Sequence, residues 1–526
     1  MNTAIIPASR CFFKEIIPLQ RDVPRFRDLS DFLRFIENKG QLRRIREKVS
    51  VVHDVTEIHR RVLGQQGPVL LFEQPVKADG APSEMPLLTN LFGTVERVAW
   101  GLGIEPDRLR ELGELMAELR SPRPPHGLRD AWSKLPLARA ALATRPRTRS
   151  SERECVATGA DVDLGKLPVQ ICWSGEPAPL ITWGLVITTP PEPDAADQEE
   201  NAGVYRIQVL GRDRAIMRWL AHRGGARHHQ QWKATGRDMP VAIVIGADPA
   251  TILAAVMPLP ETVSELRFAG LLRGERPELA SCITVPVPVP ICAEIVIEGY
   301  VSATETAPEG PYGDHTGYYN SVEEFPVLRV TAVTTRRNPI YLSTYTGRPP
   351  DEPSRMGEAM NELFVPLIRQ QFPEVVDCWL PPEACSYRTA IASIKKRYPG
   401  QARRLMLGMW SMLPQFNYTK LLIVVDDDID IRDWHSVIWA ITTRSDSSRD
   451  LVTLTDTPID YLDFASPKSG LGGKLGIDAT NKLPPETDRI WGEPLAMDPA
   501  VIARVDALWP SLGIDLGIDL AKPRKS

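Results

Sequence analysis

Apolar residues recur at helical spacing near the start of the chain, at alternate positions through its middle, and in mixed blocks towards its end. The first organised element begins near Phe26. Ser30 is placed to cap a helix over Asp31–Asn38 that Gly40 ends, and Gln41–Val49 has strand character. A helix over Val55–Leu63, a strand at Val69–Phe72 and a helix over Thr94–Leu102 continue an α/β region. Between about Cys155 and Val330 the texture changes. Trp183–Thr189, Val204–Leu210, Ala215–His222, Val241–Ile245 and Ile295–Ala303 read as strands with short turns. One helical pair interrupts them, its first member capped by Asp248 and opened by Pro249, its second running through Leu272. Beyond Asn338 a helix over about Arg355–Gln371 and a strand–loop–helix at Lys420–Val425, Asp426–Asp428 and Trp434–Thr442 mark a return to α/β structure.

This pattern predicts an α/β (α+β multidomain) protein. A loose extension covers residues 1–25, an N-terminal α/β domain 26–120, and a Pro- and Arg-rich linker 121–152. A mostly β, barrel-like domain follows at 153–335, then a C-terminal α/β domain at 336–490 and a C-terminal helix and tail at 491–526. A chain of 526 residues is long enough for several cores. Its 62 basic and 67 acidic residues leave a net charge of -5, which argues against a nucleic-acid-binding surface. The seven cysteines are scattered without any CxxC spacing, so neither a disulfide framework nor a structural zinc is expected. No apolar run approaches the roughly 18 residues of a membrane span, and Met1–Arg25 holds no signal-like apolar core.

Candidate chemistry concentrates in two places. Val204–Leu210 and Ala215–His222 form a predicted hairpin about Gly211-Arg212-Asp213, which sets Arg206 opposite Arg218 and Ala202 opposite His222. Arg206, Arg218 and His222 then share one face. Two guanidiniums directly opposite each other repel unless an anion lies on them, and a cofactor phosphate would serve. The alternative is a solvated basic sheet face. Asn201 and His222 offer one neutral oxygen and one imidazole nitrogen, a set suited with a carboxylate to Mn²⁺ or Mg²⁺. Glu265 is a candidate third ligand, although Thr262-Val263-Ser264-Glu265 reads on its own as a capping box.

The second place is the Gly- and Pro-rich run that carries Glu305, Glu309, Asp314 and His315. Ionisable groups on so constrained a loop are typical of active sites. Of two acids near Arg206, one would stay ionised and orient the guanidinium. The other, in a drier pocket, would keep a raised pKa and donate a proton. A surface turn with solvated acids is the alternative. Gly470-Leu471-Gly472-Gly473-Lys474 lacks the spacing of a phosphate loop, and Asp426-Asp427-Asp428 reads as a solvated loop.

Asn201-Ala202-Gly203-Val204-Tyr205-Arg206, Met217–Ala226 and Ala307-Pro308-Glu309-Gly310-Pro311-Tyr312-Gly313-Asp314 resemble the UbiD decarboxylases. Tyr345–Pro353, Ser393–Lys396 and Ile459–Pro467 resemble the bacterial 3-polyprenyl-4-hydroxybenzoate carboxy-lyases in particular. The resemblance implies a central split β-barrel that holds prenylated FMN, with Mn²⁺ (or Mg²⁺) bridging its phosphate, between N- and C-terminal α/β domains. It implies metal ligands at Asn201, His222 and Glu265. Cofactor contacts are implied at Val204, Tyr205, Arg206, Arg218, Trp219, Leu220, Arg223 and Gly224. The implied catalytic set is Glu309, Arg206 and Asp314, with Asp314 as proton donor. A 3-polyprenyl-4-hydroxybenzoate substrate, a flavin prenyltransferase as cofactor supplier, a homo-oligomer (a hexamer) and a cytoplasmic location with peripheral membrane contact follow from the same resemblance. The rival readings are a decarboxylase for another aromatic or α,β-unsaturated acid and a flavin-binding assembly protein without turnover.

Overall fold

The computed structural model describes residues 21–120, 144–150, 154–192, 200–219, 224–257, 259, 264–412 and 416–514. Most of the 1–25 extension and of the 121–152 linker lies outside the described residues, as does the end of the tail. The chain divides at Pro366 into two compact units.

The first unit opens with α1 (Leu29–Asn38), which buries Leu29, Phe32, Leu33 and Ile36 as one stripe. Asp28 caps it, accepting from the Asp31 N–H at 2.8 Å, where the sequence suggested Ser30. Starting the helix two residues earlier brings Leu29 into the buried stripe. β1 (Leu42–Ser50), α2 (Asp54–Gly64) and β2 (Val69–Val76) form a parallel βαβ unit, and β3 (Leu87–Thr89) adds antiparallel to β2. α3 (Val95–Leu102), capped by Thr94, and α4 (Leu109–Arg120) complete this region.

The strands expected in the middle of the chain build a barrel. In order they are β4 (Arg147–Thr148), β5 (Cys155–Thr158), β6 (Leu180–Thr188), β7 (Asn201–Val209) and β8 (Arg214–Met217). After α5 (Gly224–Ala234) come β9 (Met239–Ile245), α6 (Pro249–Ala254) and α7 (Glu265–Arg273). β10 (Glu278–Ser281), β11 (Pro288–Pro290), β12 (Ile295–Glu309) and β13 (Glu323–Thr335) end the series. Six strands pair antiparallel in the order β12-β9-β6-β7-β8-β13, and β13 pairs back onto β12 to close the ring. Closure removes the exposed edges an open sheet would carry. Every residue of β9 is buried, so this strand reads as a continuous apolar run. β5 flanks β13, while β4, β10 and β11 make a small side sheet. Helix α5 went unread in the sequence because it opens on Gly224-Gly225 and continues through His and Gln with few apolar positions. β14 (Tyr341–Leu342) pairs with β3, and residues 336–366, assigned from sequence to the C-terminal domain, belong to the first unit. α8 (Glu352–Gln371) crosses the division.

The second unit is a five-stranded sheet in the order β15 (Val375–Trp379), β16 (Thr389–Ile394), β17 (Leu421–Asp426), β19 (Leu471–Ala479) and β18 (Leu451–Pro458). β16, β17 and β19 run parallel, and the outer strands antiparallel. α9 (Gln401–Met412) and α10 (Trp434–Arg444) are its main helices, and α11 (Pro499–Leu508) follows it. Arg444 ties down two members of the Asp triplet, reaching Asp426 at 2.9 Å and Asp428 at 2.6 Å. Asp426 is a buried member of this ion-pair group, while Asp427 and Asp428 are exposed, as the solvated loop read from sequence has them. Lys474 is buried, donates to the carbonyls of Asn417 and Thr419, and is pulled down to about 8 by burial. It holds backbone, in keeping with the missing phosphate-loop spacing.

Candidate active site

The predicted hairpin register is the one the chain adopts. Ile207 pairs with Met217 and Gln208 with Ile216, and the Arg218 N–H donates to the Arg206 carbonyl at 3.1 Å. Arg206 and Arg218 therefore face each other across β7 and β8, with no slip to scatter the set. The strand ends at Met217, not at His222, and Leu220, His222 and Arg223 lie outside the described residues.

The anion between the two guanidiniums is a side chain of the chain itself. Glu309, fully buried at the end of β12, accepts from Arg206 Nε at 2.8 Å and Nη2 at 3.4 Å. Its Oε2 lies 3.8 Å from Arg218 Nε and accepts from Asn320 Nδ2 at 3.4 Å. Arg206 also lies over the Tyr312 ring at 5.4 Å, and Arg218 over Phe325 at 5.5 Å. The second acid, Asp314, places Oδ2 4.0 Å from Arg206 Nη1. His315 Nδ1 sits 2.6 Å from the other oxygen, Oδ1. Glu305 does not join the group: it is exposed and pairs with Arg214.

The two acids differ electrostatically, but in the opposite sense to the sequence expectation. Burial pushes the Glu309 carboxyl up, and Arg218 and Asn320 only partly offset it. At Asp314 burial also acts upwards, but the hydrogen bond and charge of His315, with Arg218 and the Thr316 N–H, outweigh it. The carboxyl is held below its ordinary value. The acid with the raised pKa is thus the one that orients Arg206.

Two side chains missed in the sequence set the acid loop. Glu176 accepts from the N–H groups of Gly313 and Cys172, at 3.2 and 2.6 Å. Trp173 donates from Nε1 to the Thr346 carbonyl at 2.9 Å and packs so close to Gly313 that a Cβ there would fall 2.2 Å from the indole. Only glycine fits. Both residues lie some 140 positions before the acid loop, and no local pattern marks them.

Of the residues expected to hold a cofactor and a metal, Asn201, Tyr205, Trp219, Gly224 and Glu265 lie around β7 and the start of α5. Tyr205 and Trp219, directly opposite each other in register, make an edge-to-face ring contact at 4.9 Å on the face away from Arg206. The Tyr205 hydroxyl accepts from the Gly225 N–H at 2.9 Å. A Cβ at Gly224 would lie 1.9 Å from Asn201 Oδ1, so the Asn201 amide closes over a glycine cradle at the start of α5. Glu265 accepts from the Ala202 N–H at 3.0 Å, which brings its carboxylate beside Asn201. Ser264, not Thr262, caps α7, so the capping-box role read for Glu265 is replaced by this reach to β7. Thr262 itself lies outside the described residues. Burial raises the Glu265 carboxyl. Asn201 Nδ2 and Trp219 Nε1 are buried without a hydrogen-bond partner among the described residues. Buried donors of this kind call for a partner, which a bound ligand or an ordered water supplies. An amide oxygen and a carboxylate suit a hard divalent cation, and a polar group such as a phosphate would satisfy the donors. No group of three His, Cys, Asp or Glu side chains capable of holding a metal occurs among the described residues.

Models of three parts of one family match the chain: the 3-octaprenyl-4-hydroxybenzoate carboxy-lyase N-terminal domain over residues 33–116, its Rift-related domain over 145–349 and its C-terminal domain over 354–479. Among solved structures, the UbiD-class enzyme HmfF from Pelotomaculum thermopropionicum in complex with FMN is 30% identical, with a TM-score of 0.73 over 89% of this chain and 97% of that one. An evolved dimeric form of HmfF in complex with prFMN is 28% identical, with a TM-score of 0.73 over 91% and 98%. The vanillic acid decarboxylase of Sedimentibacter hydroxybenzoicus, in closed form, is 26% identical, with a TM-score of 0.79 over 94% and 100%.

Proposed function

Because this chain belongs to the UbiD family of carboxy-lyases, we propose that it decarboxylates a 3-polyprenyl-4-hydroxybenzoate to the corresponding 2-polyprenylphenol, with prenylated FMN and Mn²⁺ or Mg²⁺ bound in its barrel. The observation that carries the reading is the barrel-held guanidinium of Arg206, fixed by buried Glu309 with the second carboxylate of Asp314 4.0 Å away. The family description and the polyprenyl-type motifs around Arg348 and Asp460 favour the prenylated substrate. The likeness to vanillic acid decarboxylase favours a smaller phenolic acid as the second reading.

In this reading Arg206 holds the substrate carboxylate, a task suited to the fork of a guanidinium. Glu309 takes two of its donors and leaves Nη1 on the Asp314 side. Asn201 and Glu265, with His222, would hold the metal at the cofactor phosphate. Val204, Tyr205, Arg206, Arg218, Trp219 and Gly224, with Leu220 and Arg223, would line the flavin. When bound, prenylated FMN would supply an electrophilic ring able to accept an electron pair. Asp314 then gives a proton to the ring carbon, and no side chain acts as a nucleophile.

No helix among the described residues is long and apolar enough to cross a membrane. A cytoplasmic enzyme that meets its prenylated substrate at the membrane surface, with cofactor delivered by a flavin prenyltransferase, fits the reading. Self-association does too. α11 buries none of its side chains, and Ile490, Leu495 and Met497 before it stand exposed. An apolar segment of that kind needs cover, and a second copy of the chain, within a homo-oligomer such as a hexamer, supplies it. Light scattering is expected to show a multiple of the chain mass, falling when residues 490–526 are deleted. An unchanged mass would rule out this segment as the contact.

The test of function is CO2 release by protein co-expressed with a flavin prenyltransferase and Mn²⁺. Turnover of a 3-prenylated 4-hydroxybenzoate, well above that of vanillate, is the expected result. The reverse preference would transfer the substrate assignment to the second reading, and absence of bound flavin would refute the cofactor assignment.

A further inference from the structure

The proposed proton donor presents a chemical difficulty. A general acid must hold its proton at the working pH, yet the neighbours of Asp314 hold its carboxyl below the ordinary value. The geometry around it shows where a proton is kept. Asp314 Oδ1 faces His315 Nδ1 at 2.6 Å and the Thr316 N–H at 3.4 Å, while Oδ2 faces Arg206 across 4.0 Å. One oxygen is turned to an imidazole and the other to the guanidinium that holds the substrate.

Resting on the decarboxylase reading, we infer that His315 and Asp314 work as one proton-carrying pair, in which His315 supplies the proton that Asp314 delivers to the substrate carbon. His315 acts through Asp314 and is a positioning residue that also stores the proton. Imidazolium Nδ1–H passes its proton to the Asp314 carboxylate, leaving neutral imidazole. The carboxylic acid then protonates the carbon, whose electron pair forms the new C–H bond, and carboxylate is restored. Imidazole regains a proton from solvent by way of its exposed edge: the side chain is 20% exposed against 8% for Asp314, while its Nε2 is itself buried. The imidazole is thus the more exposed member of the pair.

The charged groups facing the pair are the Arg206 and Arg218 guanidiniums from β7 and the segment after β8. Glu309 faces it from the end of β12, and Asp351, whose charge interacts with His315, lies just before α8. Asp351 is itself raised by burial and anchored by the Ser354 and Gly347 N–H groups, which fixes its carboxyl in place. The backbone of the pair is fixed as well. Asp314 N–H donates to the Tyr318 carbonyl at 3.0 Å, and the Gly317 N–H to the Asp314 carbonyl at 2.9 Å.

His315→Asn separates storage from positioning, since the amide can still donate to Asp314 but cannot carry a titrating proton. The holoenzyme variant is expected to lose about 10- to 100-fold in kcat at neutral pH with KM little changed. The alkaline limb of its pH–rate profile should move to lower pH, because the proton must now reside on a carboxyl instead of an imidazole. A variant with the wild-type rate and limb would reduce His315 to a structural hydrogen bond and overturn the proposal. Independently of turnover, the histidine Cε1–H resonances of the full-length protein can be titrated by NMR. Asp314→Asn should move the His315 titration to lower pH, as macroscopic pKa values belong to a coupled pair. An unmoved titration refutes the pair whatever the substrate proves to be, whereas a coupled pair in a protein without CO2 release would refute the decarboxylase reading alone.

Discussion

Replacing Asp314 with Asn is expected to lower kcat for CO2 release by about 10²- to 10⁴-fold while the flavin stays bound. The substitution keeps the shape of the side chain and removes its capacity to hold a proton. Asp314 is buried, lies 4.0 Å from the guanidinium assigned to the substrate carboxylate, and touches none of the residues assigned to the metal. Flavin absorbance of the purified variant beside its turnover rate reads both halves of the expectation. Wild-type turnover by Asp314→Asn would remove the residue from the mechanism. Loss of the flavin would mean that the change had disturbed the barrel instead of the chemistry.

The Glu309→Ala substitution should have the largest effect on stability. Glu309 is the shared counter-charge of Arg206 and Arg218, which the hairpin register sets face to face. Without it two guanidiniums confront each other, one of them with its side chain only 5% exposed. Removing one partner of a buried ion pair costs about 3–5 kcal/mol, and urea unfolding of the wild type and variant measures it. The wild type should also carry a pH term of definite sign. The folded-state pKa of Glu309 is raised above its unfolded value, so its contribution is complete below the unfolded value and is lost as pH rises through the raised one. Glu309→Gln should flatten that part of the stability profile. A profile that keeps the same slope would show that Glu309 is not its source.

Much of the site was legible because it is local. The two arginines, the turn between them and their register lie within thirteen residues, and side-chain alternation in a strand leaves few ways to pair them. Glu309 and Asp314 were legible as a rigid acidic run, and their approach to Arg206 is what the fold adds. The capping box at Glu265 shows the opposite case. Its local pattern was sound, but Ser264 takes the cap and frees the Glu265 carboxylate for a bond to β7, 63 residues away. Helix α5 was missed for want of apolar periodicity. It holds its place through contacts such as that of Gly225 with the Tyr205 hydroxyl, which no window on the sequence contains.

By itself the sequence determined the class of each region, the hairpin register, the residues able to do chemistry and the family they resemble. These depend on backbone periodicity, turn chemistry and composition, which act over a few residues. Only the tertiary structure decided that the strands close into a six-membered ring, that Glu309 is the anion between the arginines, and that Glu305 is left outside. It also decided which acid has its pKa raised and which has it lowered. A carboxyl's proton affinity depends on burial and on charges within a few ångströms, and the imidazole beside Asp314 offsets a desolvation that goes unopposed enough at Glu309 to raise it.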